Sequence, residues 1–209
     1  MRVAFANTHL LYCAARDPAL ARDLRGFCVV NDGVGVDILS RLATGERFPD
    51  NLNGTDLTPK ILGALPVGTR VFMLGAAPDV VEKAALAIAE RWPQLRICGI
   101  RDGYAGKDDA IEHIVTSHPD IVLVAMGNPM QERLIADCSQ RTGGVFIGVG
   151  ALFDFIAGAV PRAPESWRRL RLEWLFRLKC EPRRLWRRYT IEVLVLAALV
   201  CRERLLRRA

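Results

Sequence analysis

Residues 120–141 read DIVLVAMGNPMQERLIADCSQR. The first part is a short apolar run, rich in β-branched residues and closed by Gly127, which is the pattern of a strand buried on both faces. The second part restarts at Pro129 and spaces its apolar residues at helical intervals. A buried strand that hands over to a helix through a glycine turn is the building unit of a parallel sheet, because parallel strands need a crossover to connect them.

The same unit recurs on either side. RVAFA (2–6), FCVVND (27–32), RVFMLG (70–75), LRICGI (95–100) and VFIGVG (145–150) read as further buried strands. PDVVEKAALAIAERW (78–92) places Val80, Val81, Ala84, Ala85, Ile88 and Trp92 on one helical face, and DDAIEHIVTSHP (108–119) behaves alike. Thr58 before Pro59 predicts a helix start, with a hydroxyl cap and proline in the first turn. The fold expected is therefore α/β, a Rossmann-like, mainly parallel sheet with helices on both faces, over residues 1–161. Residues 162–209 form a separate basic helical appendage. Ligands of such sheets bind beyond the carboxyl ends of the strands. NDGVG (31–35), RDGY (101–104), GNPMQE (127–132) and GVGALFD (148–154) all fall there, and four such turns at one sheet edge point to a pocket.

The charge is unevenly placed. The chain carries 29 Lys and Arg against 23 Asp and Glu, a net of +6. From Arg162 onward thirteen arginines and one lysine face five glutamates, a surplus of nine, which leaves residues 1–161 at −3. A basic tail on a mildly acidic body seeks phosphate, whether in nucleic acid, anionic lipid or a nucleotide diphosphate. Nucleic acid is disfavoured, because the tail interleaves long aliphatic runs that a phosphate backbone would not use. Glu181-Pro182 predicts a helix break. Val193–Cys201 is apolar and flanked by Arg183, Arg184, Arg187, Arg188 and by Arg202, Arg204, Arg207, Arg208. It is too short to span a bilayer. It suits either a helix lying in a membrane interface or one packed on the protein itself.

Other classes fit less well. The six cysteines form no CxxC pair and the three histidines do not cluster, so neither a disulfide framework nor a zinc site is expected. The N-terminal stretch does not read as a secretory signal: its apolar runs are short and broken by Asn7, Thr8 and His9, and no small-residue cleavage site follows. GVGVDI and GVGALF lack the third glycine of a nicotinamide-binding fingerprint. No Asp-x-Asp occurs, so no metal and no cofactor are expected, and arginine is expected to meet diphosphate through its planar fork of donors.

NDGVG, NGTDL, RDGY, GNPMQE, GVGALFDFIAG, RAP, LEWLFRL and EPRRLWRRY occur in this order over nearly the whole chain. Together they resemble the WecG/TagA/CpsF family of bacterial glycosyltransferases. The resemblance implies an inverting transfer of a sugar from a UDP-sugar to a polyprenyl-diphosphate-linked saccharide, in exopolysaccharide or cell-surface glycopolymer synthesis. It implies a peripheral protein on the cytoplasmic face of the bacterial plasma membrane, docked through its C-terminal helices and able to form homo-oligomers. Two family positions differ: Phe5 stands where the threonine of Thr-x-Asn is usual, and Arg171 stands where a turn glycine is usual. N-acetylmannosamine, its acid and glucose remain open as the donor sugar. A basic nucleotide- or nucleic-acid-binding Rossmann-like protein without transferase activity is the alternative.

On this resemblance Asp56 is the base that takes the acceptor hydroxyl proton, and Arg177, Arg184 and Arg187 meet the departing diphosphate. Spaced by seven and three, these arginines would share one face of a continuous helix, which Pro182 interrupts. Asn7, Asp32, Gly33, Asp102, Tyr104, Gln131, Gly148 and Gly150 are the expected substrate-binding residues. Gln131 is expected to contact sugar or uracil, with Glu132 as a helix cap, and the two glycines to admit backbone close to the nucleotide. Asp154 is a further pocket candidate.

Overall fold

In the computed structural model the described chain runs over residues 1–206, so Arg207 and Arg208 lie outside it. It forms two compact units. The first comprises Met1–Phe5, Leu20–Val29 and Gly54–Pro161; the second comprises Ala6–Ala19, Val30–Asn53 and the chain from Arg162. Two segments before residue 161 thus group with the basic helices in the second unit.

Six strands, β1 (Arg2–Ala6), β2 (Cys28–Asn31), β3 (Arg70–Gly75), β4 (Arg96–Arg101), β5 (Ile121–Ala125) and β6 (Val145–Gly148), form one sheet in the order β2-β1-β6-β5-β3-β4. β1 with β6, β6 with β5, β5 with β3 and β3 with β4 all pair in parallel. Met73 lies opposite Leu123, and Leu123 opposite Ile147, so the central strands stack apolar residue on apolar residue. Val71, Phe72, Met73, Leu74, Val122, Leu123, Val124, Phe146 and Ile147 are buried. Runs with no polar interruption are possible here because helices cover both faces. β2 and β4 depart from the buried-strand reading: Cys28 and Val29 are exposed, as is Ile100. They are the edge strands, each with a neighbour on only one side.

Helices α1 (Thr8–Arg16), α2 (Pro18–Leu24), α3 (Val34–Thr44), α4 (Gly54–Ala64), α5 (Pro78–Arg91), α6 (Lys107–Thr116), α7 (Met130–Cys138) and α8 (Leu152–Ile156) connect the strands or follow them. α5 buries Val80, Val81, Ala84, Ala85 and Ile88 as its periodicity requires. Pro78 sits at its start, where the missing N–H costs nothing. α4 corrects the expected start at Thr58. The helix begins at Gly54 and runs through Pro59. Proline removes a single intrahelical bond at that depth, and Gly54 and Leu62 are buried on either side of it. Asp56 therefore lies in a helical first turn rather than in a loop.

The second unit is helical: α1 and α3 with α9 (Glu165–Arg169), α10 (Glu173–Cys180), α11 (Pro182–Tyr189) and α12 (Ile191–Leu206). α10 ends and α11 begins around Glu181-Pro182, as expected. α12 packs on α1, α3 and α11. Its Glu192 Oε2 lies 2.7 Å from His9 Nδ1, its Leu196 is buried, and Arg204 Nη1 donates to the Leu42 carbonyl at 2.9 Å. Ile191, Leu194 and Leu205 remain exposed.

Candidate active site

Strand order locates the crevice of the first unit. From β3 the chain passes to β4 on one side, and from the adjacent β5 it passes to β6 on the other. At such a switch point the turns diverge and leave space for a ligand. The turn after β3 is Gly75-Ala76-Ala77, with Ala76 at φ +58°. Ala76 N–H donates to the Ala125 carbonyl, and its own carbonyl accepts from Gly103 N–H, both within 3.0 Å. Sequence reasoning missed this turn; the signal present was a glycine closing a strand just ahead of a proline-initiated helix. Asp102 Oδ1 accepts from Tyr104 N–H at 2.9 Å, which folds RDGY into a tight turn and leaves Tyr104 82% exposed at the end of β4. Behind it Arg101 pairs with Asp109.

The turns after β5 and β6 are joined by a buried network. Gln131 is 1% exposed and Glu132 is fully buried. Gln131 Oε1 accepts from Gly127 N–H at 3.2 Å and from Gly150 N–H at 3.1 Å. Its Nε2 donates to Glu132 Oε1 at 2.8 Å, and Asn128 Nδ2 donates to the same oxygen at 2.7 Å. Glu132 Oε2 is buried with no hydrogen-bond partner. Burial raises the Glu132 carboxyl above its ordinary value, against the opposing pull of the Gln131 and Asn128 amides. A Cβ on Gly148 would stand 2.8 Å from Gln131 Nε2, so glycine is needed there to admit the Gln131 amide. Gly148 and Gly150, read from sequence as nucleotide contacts, are thus in contact with Gln131.

Asp56 occupies the third position of α4, where the positive end of the helix dipole favours a carboxylate. A Cβ on Gly54 would meet the Phe5 ring at 2.7 Å, so the helix enters flush against the end of β1.

The second unit gathers the other candidates. Asn7 caps α1, its Oδ1 accepting from Leu10 N–H at 2.9 Å. Asp32 N–H donates to the Ala6 carbonyl, and Gly33 precedes α3, its N–H donating to Asn51 Oδ1 at 2.8 Å. Asn31 Nδ2 donates to the Asp50 carbonyl, so the segment 50–51 is pinned to the β2–α3 turn. Arg177 lies in the last turn of α10, whereas Arg184 and Arg187 lie on α11. The one-face arrangement of a continuous helix is therefore replaced by two short helices meeting at Pro182. Tyr189 lies within electrostatic reach of part of this set. Burial raises its hydroxyl pKa, Arg177 acts against that, Asp32 acts with it, and Arg188 and Arg184 act against it. Arg184 also pairs with Glu181 at 2.6 Å, and Arg187 is exposed. Tyr189 and Arg188 received no role from the sequence, since nothing in RRLWRRY separates one arginine from the next. Tyr189 packs edge-on against Trp174.

Arg171 stands in the turn between α9 and α10 at φ +59°. Its Nη1 lies 2.6 Å from Oδ2 of Asp37, a residue 2% exposed on α3. An ion pair to a buried carboxylate accompanies the unusual backbone where glycine would be unstrained.

Among the described residues no group of three or more His, Cys, Asp and Glu could hold a metal ion, and no helix is long and apolar enough to cross a membrane. The model of the glycosyl transferase WecG/TagA/CpsF family matches residues 1–209. The chain is 37% identical over 163 residues to the N-acetylglucosaminyldiphosphoundecaprenol N-acetyl-beta-D-mannosaminyltransferase of Bacillus subtilis (strain 168). That match covers 77% of this chain and 63% of the relative's length. With a parallel α/β sheet, an acid at the start of α4 and a basic helical C-terminal segment, the chain belongs to the WecG/TagA/CpsF family of glycosyl transferases.

Proposed function

We propose that this protein moves a sugar from a UDP-sugar onto a polyprenyl-diphosphate-linked saccharide, with inversion at the anomeric carbon, in the synthesis of an exopolysaccharide or other cell-surface glycopolymer. The observation that carries this reading is the family match along the chain, joined to a relative whose name specifies a diphosphoundecaprenol-linked acceptor. The donor sugar is N-acetylmannosamine-type or glucose.

The transfer needs a base at the acceptor hydroxyl and positive charge at the departing diphosphate. Asp56 takes the proton as the hydroxyl oxygen attacks the anomeric carbon, and the bond to UDP breaks on the opposite face. A positioned base contributes roughly 10²- to 10⁴-fold. Arg177, Arg184 and Arg187 meet the diphosphate. Asn7, Asp32 and Gly33, and the turns carrying Asp102, Tyr104, Gly148 and Gly150, bind substrate. Gln131 contributes through the turns it holds. No metal is required. The protein works peripherally on the inner face of the plasma membrane. The exposed Ile191, Leu194 and Leu205 of α12 and its Arg202 support that placement, since apolar and cationic groups together favour an anionic interface.

The test is a panel of UDP-sugars assayed with a polyprenyl-diphosphate-linked saccharide, product being identified by mass spectrometry. One UDP-sugar is expected to extend the lipid-linked saccharide by one residue, with the same rate in the presence of chelator. Activity abolished by chelator and restored by Mg²⁺ would reverse the metal reading. Absence of transfer, together with salt-sensitive binding to short DNA, would favour the nucleic-acid-binding alternative.

A further inference from the structure

Gln131 and Glu132 form the most deeply buried polar cluster of the first unit, and the transfer chemistry assigns Glu132 no part. We propose that Glu132 is a positioning residue: its carboxyl aims the Gln131 amide so that Gln131 Oε1 clamps the turn after β5 to the turn after β6, fixing the spacing of the two turns that receive the donor's nucleotide. One oxygen, Oε1, collects both side-chain donors, Gln131 Nε2 at 2.8 Å and Asn128 Nδ2 at 2.7 Å. That leaves the Gln131 carbonyl facing the other way, where Gly127 and Gly150 N–H converge on it. A flipped amide would place its NH₂ against two backbone donors and its carbonyl against Glu132 Oε1, so Glu132 and the two glycine amides enforce one orientation. Glu132 needs only to accept at Oε1; Oε2 is buried and unpartnered. Burial raises the carboxyl above its ordinary value, against the pull of the Gln131 and Asn128 amides.

The inference depends on the donor reading only for its ligand, and the experiment separates the two. Glu132→Gln keeps an acceptor at Oε1 and carries no charge. Glu132→Ala removes the acceptor, and Glu132→Asp withdraws it by one methylene. Two readouts are taken on each folded protein: UDP affinity by calorimetry, and hydrogen exchange at the Gly127 and Gly150 amides by NMR. Glu132→Gln is expected to fold and to match wild type in both. Glu132→Ala and Glu132→Asp are expected to weaken UDP binding about ten-fold, from a buried amide donor left unpaired, and to speed exchange at both glycines. Unchanged exchange in Ala or Asp, whichever folds, overturns the clamp. So does a Glu132→Gln protein that fails to fold or that behaves like Ala. Unchanged UDP affinity beside faster exchange overturns the link from clamp to nucleotide. A wild type that shows no UDP affinity, with the glycine amides still responding, overturns the donor reading and leaves the clamp standing.

Discussion

Removing the Arg171 guanidinium tests how the turn into α10, and with it Arg177, is held. Arg171 Nη1 lies 2.6 Å from Asp37 Oδ2, and the other Asp37 oxygen is buried with no hydrogen-bond partner. Breaking a fully buried pair costs about 3–5 kcal/mol because one charge is left uncompensated. Here the Arg171 side chain is 44% exposed while that of Asp37 is 2% exposed. Water can follow the vacated path, so about half of that value, ~2 kcal/mol, is expected for Arg171→Ala. Arg171→Gly suffers the same loss but relieves about 1 kcal/mol of left-handed backbone strain at φ +59°. Its net destabilisation is then about 1 kcal/mol. In an Asp37→Asn background the uncompensated charge is absent, so Arg171→Ala should cost little, giving a coupling of about 1–2 kcal/mol in the double-mutant cycle. Urea unfolding followed by tryptophan fluorescence is the assay. Three of the four tryptophans, Trp167, Trp174 and Trp186, lie in the second unit and weight the signal toward it. The midpoint should fall at unchanged slope. Arg171→Gly as stable as wild type, or an Arg171→Ala cost that persists in the Asp37→Asn background, would refute the reasoning.

Asp56→Asn should cut turnover by roughly 10²- to 10⁴-fold while UDP affinity stays near wild type; steady-state rates beside calorimetry check both, and retained turnover removes Asp56 from the chemistry. The Glu132 carboxyl, raised above its ordinary value of 4.5, makes a contribution to stability that is full at low pH and is lost as pH rises through the raised value. Glu132→Gln should therefore gain on wild type as pH increases above about 4.5, read as the difference in urea midpoints, and a difference independent of pH would contradict a raised Glu132 carboxyl. Among the cysteines, Cys28, Cys180 and Cys201 are exposed, while Cys138 is buried with its thiol pushed up to about 11. Maleimide at about pH 8 should label the three and spare Cys138 until denaturant is added, as mass spectrometry of the digests would show; prompt labelling of Cys138 would mean that α7 opens in the native state.

Periodicity is a local property, and what it governs is legible in the chain. The six strands are readable because a β-branched apolar run fits a pleated, buried surface wherever it occurs. The face of α5 is readable because the 3.6-residue repeat lines up Val80, Ala84 and Ile88 whatever they pack against. Strand exposure is less legible: β2 and β4 carry apolar residues like the others, and only the strand order makes them edges. The start of α4 is hidden because Thr58-Pro59 is a strong local signal, and it is outweighed by packing that buries Gly54 against Phe5.

What the sequence determined alone was the fold class, the run of glycine turns at the carboxyl edge, the concentration of arginine after residue 161 and the family resemblance. Each depends on residues near one another in the chain or on their order along it. The tertiary structure alone decided which residues share an environment. It brought Arg177, Arg184 and Asp32 within electrostatic reach of Tyr189, matched Arg171 to Asp37 over a separation of 134 residues, and turned Gln131 inward between two strand-end turns. The physical reason is that burial and charge pairing depend on distance in space, and a sequence carries distance only along the chain.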